Sequence, residues 1–177
     1  LIVAAFAAMA DQASVPQTPP ALVLPAIERF ASAVQAVILG EAADIRGEKL
    51  PPSAELLSFI HQHKTASLIR AAAACGAILA GADPQALQTV DEYASACGLM
   101  FQITDDLLDV EGDEAELGKP TGADAQAGKQ TYPAVYGVQE SRRRARELAD
   151  RAAAAARRLP ANQPIWLALV EFILSRR

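Results

Sequence analysis

Apolar residues recur at helical spacing along most of this chain, and no segment alternates between apolar and polar residues over a useful length. Because a helix repeats about every 3.6 residues and a strand every two, this pattern predicts an all-α protein. The clearest apolar stripes are Ala54, Leu57, Ile60, Leu68 and Ala71, and then Leu87, Val90, Ala94, Cys97, Phe101 and Leu108. We therefore predict an antiparallel helical bundle with at least six helices.

Proline, glycine and capping residues predict where these helices begin and end. Ser53 and the pair Asp83-Pro84 are N-terminal signals, because serine or aspartate caps a first turn and proline fits its first position. The polar, glycine-bearing stretch 111–128 is predicted to be a loop. The predicted helices span 26–45, 53–81, 83–110, a short stretch that ends near 137, 141–159 and 165–175, and residues 12–25 form a proline-rich connector.

Length, charge and cysteine content limit the class of protein. The chain of 177 residues is long enough for one domain, residues 1–177, with a sizeable core. A net charge of -5 gives no basic surface for nucleic acid or for an anionic membrane. Cys75 and Cys97 lack the spacing of a metal site, so we expect two buried thiols in the reducing cytoplasm.

The chain begins with an apolar stretch, LIVAAFAAMA, that does not start with Met. This stretch is too short to span a bilayer, and it lacks the basic flank of a signal peptide. We interpret it as the end of a core helix whose start lies upstream. The expectation is therefore a bundle whose N-terminal helices are missing from this sequence, without stable membrane insertion.

The stretch FQITDDLLD, residues 101–109, places three carboxylates on an otherwise apolar helix. Asp105 and Asp109 are four residues apart and share one face, while Asp106 is turned by about 100°. Like charges crowded in apolar surroundings need a compensating cation, and a hard divalent ion with oxygen ligands suits them. We predict a Mg²⁺ site here. The alternative, a solvated face or a helix cap, fits less well because negative charge near a helix C-terminus opposes the helix dipole.

Lysines near this cluster predict an anion site. Lys64 and Thr65 lie in the middle of the helix predicted for 53–81, where the lysine could alternatively extend its amine to water. Lys119 and Lys129 flank the glycine-bearing loop that follows the aspartates. Flexible point charges there can close over a diphosphate that a metal already holds. An acidic protein with an anionic substrate needs such lysines or metal ions.

Other motifs indicate no site of their own. GADAQAGK at 122–129 is similar to a Walker loop but has one residue too many between its glycines and follows a helix. Residues 109–113 lack the glycine and the spacing of a calcium loop. His61 and His63 are two apart, on different helix faces, so we do not expect them to bind metal. The arginines of 142–146 lie among acidic residues, as on a solvated helix face.

The ordered set of motifs resembles the trans-prenyl diphosphate synthase family, particularly the bacterial farnesyl or geranylgeranyl type. Phe-Gln-x-x-Asp-Asp-x-x-Asp with Gly-Lys and Lys-x-Thr-Tyr-Pro downstream is highly specific. The matching segments are HKT at 63–65 with LIR at 68–70, FQ at 101–102 with the three aspartates, LGK at 117–119, Gly122 with Asp124, and GKQTYP at 128–133. The resemblance covers nearly the whole chain and implies the all-α isoprenoid synthase fold.

This resemblance implies a Mg²⁺-dependent head-to-tail condensation of an allylic prenyl diphosphate with isopentenyl diphosphate, with release of diphosphate, by a homodimer. By the same resemblance, the Thr65 backbone carbonyl and the Gln102 side chain would face the developing allylic cation. The residues that would bind the allylic diphosphate are the metal ligands Asp105 and Asp109, supported by Asp106, and the lysines Lys64, Lys119 and Lys129.

Two departures from the family leave alternatives open. The family's other aspartate-rich motif would lie upstream of Leu1, and its usual Gly-Gln-x-x-Asp-Leu is Gly40-Glu41-Ala-Ala-Asp44-Ile45 here. A carboxylate in place of the amide adds negative charge near a diphosphate pocket. One alternative is therefore a catalytically silent regulatory subunit of a prenyltransferase. Another is a terpene cyclase, although the lysines and Thr65 fit condensation better.

Overall fold

The computed structural model describes residues 1–112, 122–159 and 161–176, and every regular element within these ranges is a helix. The α-helices are α1 (Ile2–Asp11), α2 (Val23–Gly47), α3 (Ala54–Ile60), α4 (Ser67–Leu79), α5 (Pro84–Glu111), α6 (Ala123–Ala127), α7 (Tyr132–Tyr136), α8 (Val138–Ala156) and α9 (Gln163–Leu174). Short 3₁₀ turns at Gln12–Ser14 and Pro20–Leu22 lie between α1 and α2, and a π-helical segment, His61–Ala66, joins α3 to α4. The predicted all-α class is confirmed.

Helix α5 is the centre of the packing, with α8 and α9 against it and α4 between it and α2. Met100 and Ile103 of α5 are fully buried in this core. Alanines on α8, among them Ala152 and Ala156, have no exposed surface and let the two long helices approach closely. The alanine-rich composition therefore serves close helix packing as well as helix propensity.

The predicted helix starts at Ser53 and Asp83 are confirmed by side-chain caps. The Ser53 hydroxyl accepts the backbone N–H of Leu56 at 3.3 Å, and the Asp83 carboxylate accepts that of Ala86 at 2.8 Å. Each bond satisfies one of the backbone donors that a first helical turn leaves without a partner. The position of α5, which carries the aspartates, is thus encoded locally.

Several predicted boundaries are wrong, among them those of the helix predicted for 141–159, which spans Val138–Ala156 as α8. Helix α2 begins at Val23 rather than at residue 26, because Pro25 fits in a first turn, where its missing N–H costs no hydrogen bond. The predicted loop 111–128 contains the short helix α6, bounded by Gly122 and Gly128. Both glycines have positive φ, 75° and 70°, a conformation that glycine adopts without strain.

The helix predicted for residues 53–81 is interrupted by the π-helical segment, which is packed against glycines from both sides. A Cβ on Gly40 of α2 would lie 2.3 Å from the backbone nitrogen of Lys64, and one on Gly98 of α5 would lie 2.8 Å from Cα of Ala66. A side chain at either glycine would overlap the backbone of the π-helical segment. The two glycines therefore fix the backbone that carries Lys64 and Thr65.

Helix α2 exposes several large apolar side chains among polar ones such as Glu28 and Gln35. The stretch Pro20–Gly47 has 28 residues and contains an 18-residue window with a mean hydropathy of 1.6, so by length and composition it could cross a membrane, a criterion that core helices of soluble proteins also meet. Leu24, Ile38, Leu39 and Ile45 are each between 58% and 62% exposed. Within the described residues, these side chains of α2 are left uncovered.

Candidate functional site

A polar cavity of about 220 Å³ lies where α2, the π-helical segment, α5 and residues 124–131 meet. Its lining consists of Asp44, Ile60, His61, Lys64, Gln102, Asp105, Asp106, Asp124, Lys129, Gln130 and Thr131. Five predicted site residues are therefore brought together at one cavity: Lys64, Gln102, Asp105, Asp106 and Lys129. A larger cavity of about 590 Å³, among α5, α8 and α9, is lined by none of the predicted site residues.

Lys64 is held by two carboxylates of α2. Its Nζ lies 2.5 Å from Oδ2 of Asp44 and 2.9 Å from Oε2 of Glu41. Partial burial lowers the pKa of the ammonium, but the hydrogen bonds and charges of Asp44 and Glu41 outweigh this effect and raise it. The Lys64 side chain is thus a protonated ammonium group that two carboxylates of α2 hold in position.

A chain of hydrogen bonds links the π-helical segment to α5 and α7. The Thr65 hydroxyl donates to Oε1 of Gln102 at 2.6 Å, and Nε2 of Gln102 donates to Oδ1 of Asp106 at 2.8 Å. The other carboxylate oxygen of Asp106 accepts the backbone N–H of Tyr132 at 2.8 Å. Since Gln102 both accepts and donates, its amide orientation is fixed, with the carbonyl oxygen towards Thr65.

Asp106 and His61 form a buried titratable pair, with Nε2 of His61 3.5 Å from Oδ2 of Asp106. Burial raises the pKa of Asp106 to about 7, although its bonds with Tyr132 and Gln102 act in the opposite direction. Burial also lowers the pKa of His61 to about 4. Both shifts disfavour charge, as expected for groups removed from water. His63 instead donates from Nδ1 to the Phe59 carbonyl at 2.8 Å and stacks on the Phe59 ring.

Asp105 and Asp109 lie in different environments. The Asp105 side chain is 37% exposed, lines the polar cavity and lies 3.7 Å from Nη2 of Arg176. Asp109 is 3% exposed and does not line that cavity. Its carboxylate accepts the backbone N–H of Asp124 at 3.1 Å, and its backbone carbonyl accepts that of Gly122 at 2.7 Å. The structure therefore places Asp109 as an anchor for the segment that leads into α6.

Lys129 reaches the same cavity from the other side. Its Nζ donates to Oδ1 of Asp124 at 2.8 Å, and this hydrogen bond raises the pKa of the ammonium. The predicted lysine Lys119 lies outside the described residues. Two cationic groups, Lys64 and Lys129, thus flank the cavity within the described part of the chain.

Sequence reasoning did not select Asp44, Asp124 or Gln130 as site residues. Asp124 belongs to the family motif that begins at Gly122, and Asp44 belongs to the motif in which Glu41 departs from the family. Gln130 is buried: its Oε1 accepts the backbone N–H of Ser53 at 2.9 Å, and its Nε2 donates to the carbonyl of Leu50 at 3.1 Å. The available signal was the position of Gln130 inside the motif GKQTYP, next to the predicted Lys129.

The carboxylates at the cavity fit an oxygen-binding divalent ion. Among the described residues, no three His, Cys, Asp or Glu side chains are arranged as a preformed metal-binding group. Mg²⁺ commonly takes one or two carboxylates from the protein and completes its shell with water and substrate phosphates. Asp105, which is partly exposed, and Asp124 offer such carboxylates to the cavity.

Comparison with known proteins gives the family. Residues 1–161 match the family model of polyprenyl synthetase. The chain is 43% identical over 151 residues to farnesyl diphosphate synthase of Escherichia coli (strain K12), which covers 82% of this chain and 50% of that protein. The chain thus spans about half the length of this curated relative.

Solved structures of similar proteins share the fold. A polyprenyl synthase from Caulobacter crescentus CB15, complexed with calcium and isoprenyl diphosphate, aligns with a TM-score of 0.79 at 29% identity, over 86% of this chain and 59% of that one. A geranyltransferase from Helicobacter pylori, complexed with magnesium and isoprenyl diphosphate, aligns with a TM-score of 0.74 at 27% identity, over 91% of this chain and 54% of that one. The family resemblance predicted from the motifs is confirmed, and the chain belongs to the polyprenyl synthetase family.

Proposed function

We propose that the full-length protein is a Mg²⁺-dependent prenyltransferase that condenses an allylic prenyl diphosphate with isopentenyl diphosphate and releases diphosphate. The observation that carries this proposal is the cavity at which Lys64, Lys129 and Asp105 converge, formed by the motifs of the family. The Helicobacter pylori relative, complexed with magnesium and isoprenyl diphosphate, supports the choice of metal and substrate class.

The allylic diphosphate would bind between the two lysines. Lys64 and Lys129 supply positive charge on two sides of the cavity, and Asp105 and Asp124 would hold Mg²⁺, with Asp106 behind them. The bound metal would stabilise the negative charge that develops on the leaving diphosphate. Lys119, predicted to contact the same diphosphate, and Asp109, predicted to ligate Mg²⁺, remain predictions for the complete site.

Gln102 and Thr65 would steady the allylic cation. As the carbon–oxygen bond to diphosphate breaks, positive charge develops on the allylic carbons. The carbonyl oxygen of Gln102 is fixed by the hydrogen bonds to Thr65 and Asp106, so its dipole need not reorganise during the reaction. The double bond of isopentenyl diphosphate then forms the new carbon–carbon bond, and the proton it loses passes to the departing diphosphate.

The direct test incubates full-length protein with isopentenyl diphosphate, Mg²⁺ and allylic primers of increasing length, and follows products and released diphosphate. Chain elongation that stops when a chelator is added is the expected result. Absence of elongation with every primer would refute the proposal. Cyclised hydrocarbon formed from the allylic diphosphate alone would indicate a terpene cyclase instead.

A regulatory subunit is the second candidate. The contact between the Glu41 carboxylate and Lys64 favours this candidate, because the carboxylate binds a cationic side chain that the reaction needs. In this case the full-length protein alone would show no elongation but would change the rate or product length of an active prenyltransferase from the same organism. The elongation assay, repeated with that enzyme added, separates the two candidates.

We also propose a homodimer in the cytoplasm, without stable membrane insertion. The exposed apolar side chains of α2, Leu24, Ile38, Leu39 and Ile45, suit burial against a second copy of the chain, since exposed apolar surface is common at interfaces. Cys75 and Cys97 are free and buried, as is usual in a reducing compartment. Sedimentation should give a dimer that Ile38→Glu dissociates. Membrane association that survives carbonate extraction would contradict the proposal.

A further inference from the structure

Glu41 and Asp44 contact the same lysine but differ in how firmly they are held. They lie three residues apart on one face of α2, and both reach Nζ of Lys64. The Asp44 side chain is 9% exposed, whereas that of Glu41 is 50% exposed. Asp44 alone neutralises the ammonium, so the second carboxylate makes this group of three side chains net negative.

An anion that approaches Lys64 while both carboxylates stay in place finds one remaining N–H of the ammonium and a net negative charge beside it. A diphosphate brought to the ammonium would lie beside Glu41 and would experience repulsion from a like charge at short range. The backbone of Lys64 cannot shift to relieve this repulsion, because it is fixed by the close approach of Gly40. The side chain that can move is that of Glu41, which is half-exposed and can rotate into water.

We propose that Glu41 is an internal competitor for the substrate: its carboxylate binds one N–H of the Lys64 ammonium that the diphosphate would otherwise bind, and it turns out into solvent when the diphosphate binds. This inference rests on the proposed function. It assigns Glu41 a role in setting substrate affinity, while Asp44 remains the permanent partner that positions the lysine.

The consequence is a weakened affinity for diphosphate that depends on one side chain. Replacing Glu41 by glutamine keeps the length and hydrogen-bonding capacity of the side chain but removes its charge. The energy of a partly exposed ion pair corresponds to a change of up to about fivefold in a dissociation constant. Because the effect is electrostatic and the pair is partly exposed, it should shrink as salt is added.

The experiment measures binding of inorganic diphosphate to the full-length protein by calorimetry, first with a chelator and then with Mg²⁺. Glu41→Gln should lower the dissociation constant about twofold to fivefold in the chelator at low salt. The matched control is Glu28→Gln, the same charge change on an exposed side chain of α2 about 20 Å along the helix. This control should bind as the unaltered protein does.

Equal or weaker binding by the Glu41→Gln variant in the chelator would overturn the inference. Weaker binding only with Mg²⁺ would also overturn it, because Glu41 would then be a metal-binding group. If the unaltered protein binds no diphosphate with or without Mg²⁺, the proposed function itself fails. If it binds diphosphate and Glu41→Gln and Glu28→Gln behave alike, only the competitor role fails.

Discussion

The Thr65 hydroxyl donates to the side-chain oxygen of Gln102 at 2.6 Å, and this bond joins the π-helical segment to α5. Gln102 in turn donates to Asp106, so one amide determines how two neighbouring groups are oriented. Both partners would lose a hydrogen bond if the amide were removed. A buried polar group left without a partner costs about 1–3 kcal/mol.

We therefore expect Gln102→Ala to lower the free energy of unfolding by about 1–3 kcal/mol and kcat by about tenfold or more. The matched control is Gln88→Ala, which removes an exposed glutamine of α5 that also bonds a carboxylate four residues ahead, Glu92. Urea unfolding and steady-state elongation rates measure the two effects. Equal effects of the two substitutions would contradict the assigned role of Gln102.

Substitutions at Asp105 and Asp109 should have different effects, the first on catalysis and the second on stability. Asp105→Ala should reduce kcat by orders of magnitude with little loss of stability, because the side chain is partly exposed and lines the cavity. Asp109→Ala should destabilise the fold by about 1–3 kcal/mol, since the N–H of Asp124 loses its acceptor. Asp150→Ala, on the exposed face of α8, is the control for both.

Asp109→Asn completes this comparison. Asparagine keeps an oxygen that can accept the N–H of Asp124 but removes the charge. Stability near that of the unaltered protein, together with a large loss of kcat, would show that Asp109 also serves the metal. An unchanged rate for Asp105→Ala would remove Asp105 from the mechanism.

Gly40→Ala should disrupt the approach of α2 to the π-helical segment. The added methyl would lie 2.3 Å from the backbone nitrogen of Lys64, so helices must separate, at a cost of about 1–3 kcal/mol or more. Gly76→Ala in α4 is the control, because nothing lies within 4 Å of its methyl. It should stabilise the helix by about 0.5–1 kcal/mol. Thermal unfolding of both variants checks the opposite signs, and a stable Gly40→Ala protein would contradict the close approach.

The Asp106–His61 pair should give opposing dependences of stability on pH. The pKa of Asp106 is raised from 3.8 to about 7, so between these values the folded state binds a proton that the unfolded state has released. This contribution makes stability fall as pH rises. The pKa of His61 is lowered from 6.5 to about 4, so the unfolded state binds the extra proton and stability rises with pH across that window.

Single substitutions should expose each contribution. In a chelator, the His61→Gln variant should retain only the Asp106 contribution. Its free energy of unfolding should therefore fall from about pH 4 to about pH 7 relative to the unaltered protein. The Asp106→Asn variant should retain only the His61 contribution, so its free energy of unfolding should rise with pH up to about pH 6.5. Urea unfolding across this range measures both. Slopes of the opposite sign in these two variants would contradict the assigned pKa shifts.

The helical class and the starts of α3 and α5 could be predicted because their signals are local. Ser53 and Asp83 cap the turns that follow them, and the spacing of apolar residues within α5 predicts its buried face. The position of Lys129 near the aspartates was also predictable, because it flanks the glycine-bearing loop that follows them, and the family's motifs add to this. No periodicity connects a residue after one helix with a face of another.

The parts that sequence reasoning missed depend on contacts between distant residues. Asp105 and Asp109 share a helix face, as predicted, yet a segment that begins at Gly122 covers only Asp109. The π-helical turn likewise depends on Gly40 and Gly98, which lie on other helices. Spacing within one helix contains no information about which neighbour will pack on it.

The π-helical turn at His61–Ala66 also determines where this protein can lose a residue during evolution. Such a turn accommodates one residue more than a regular α-helix, so deleting one residue there would restore ordinary helical geometry and leave the helix beyond it in register. Arg70 would then keep both of its hydrogen bonds with Asp91 of α5, whereas the backbone that carries Lys64 and Thr65 would change. Deleting a residue of α4 ahead of Arg70 would instead rotate Arg70 by about 100°, away from Asp91.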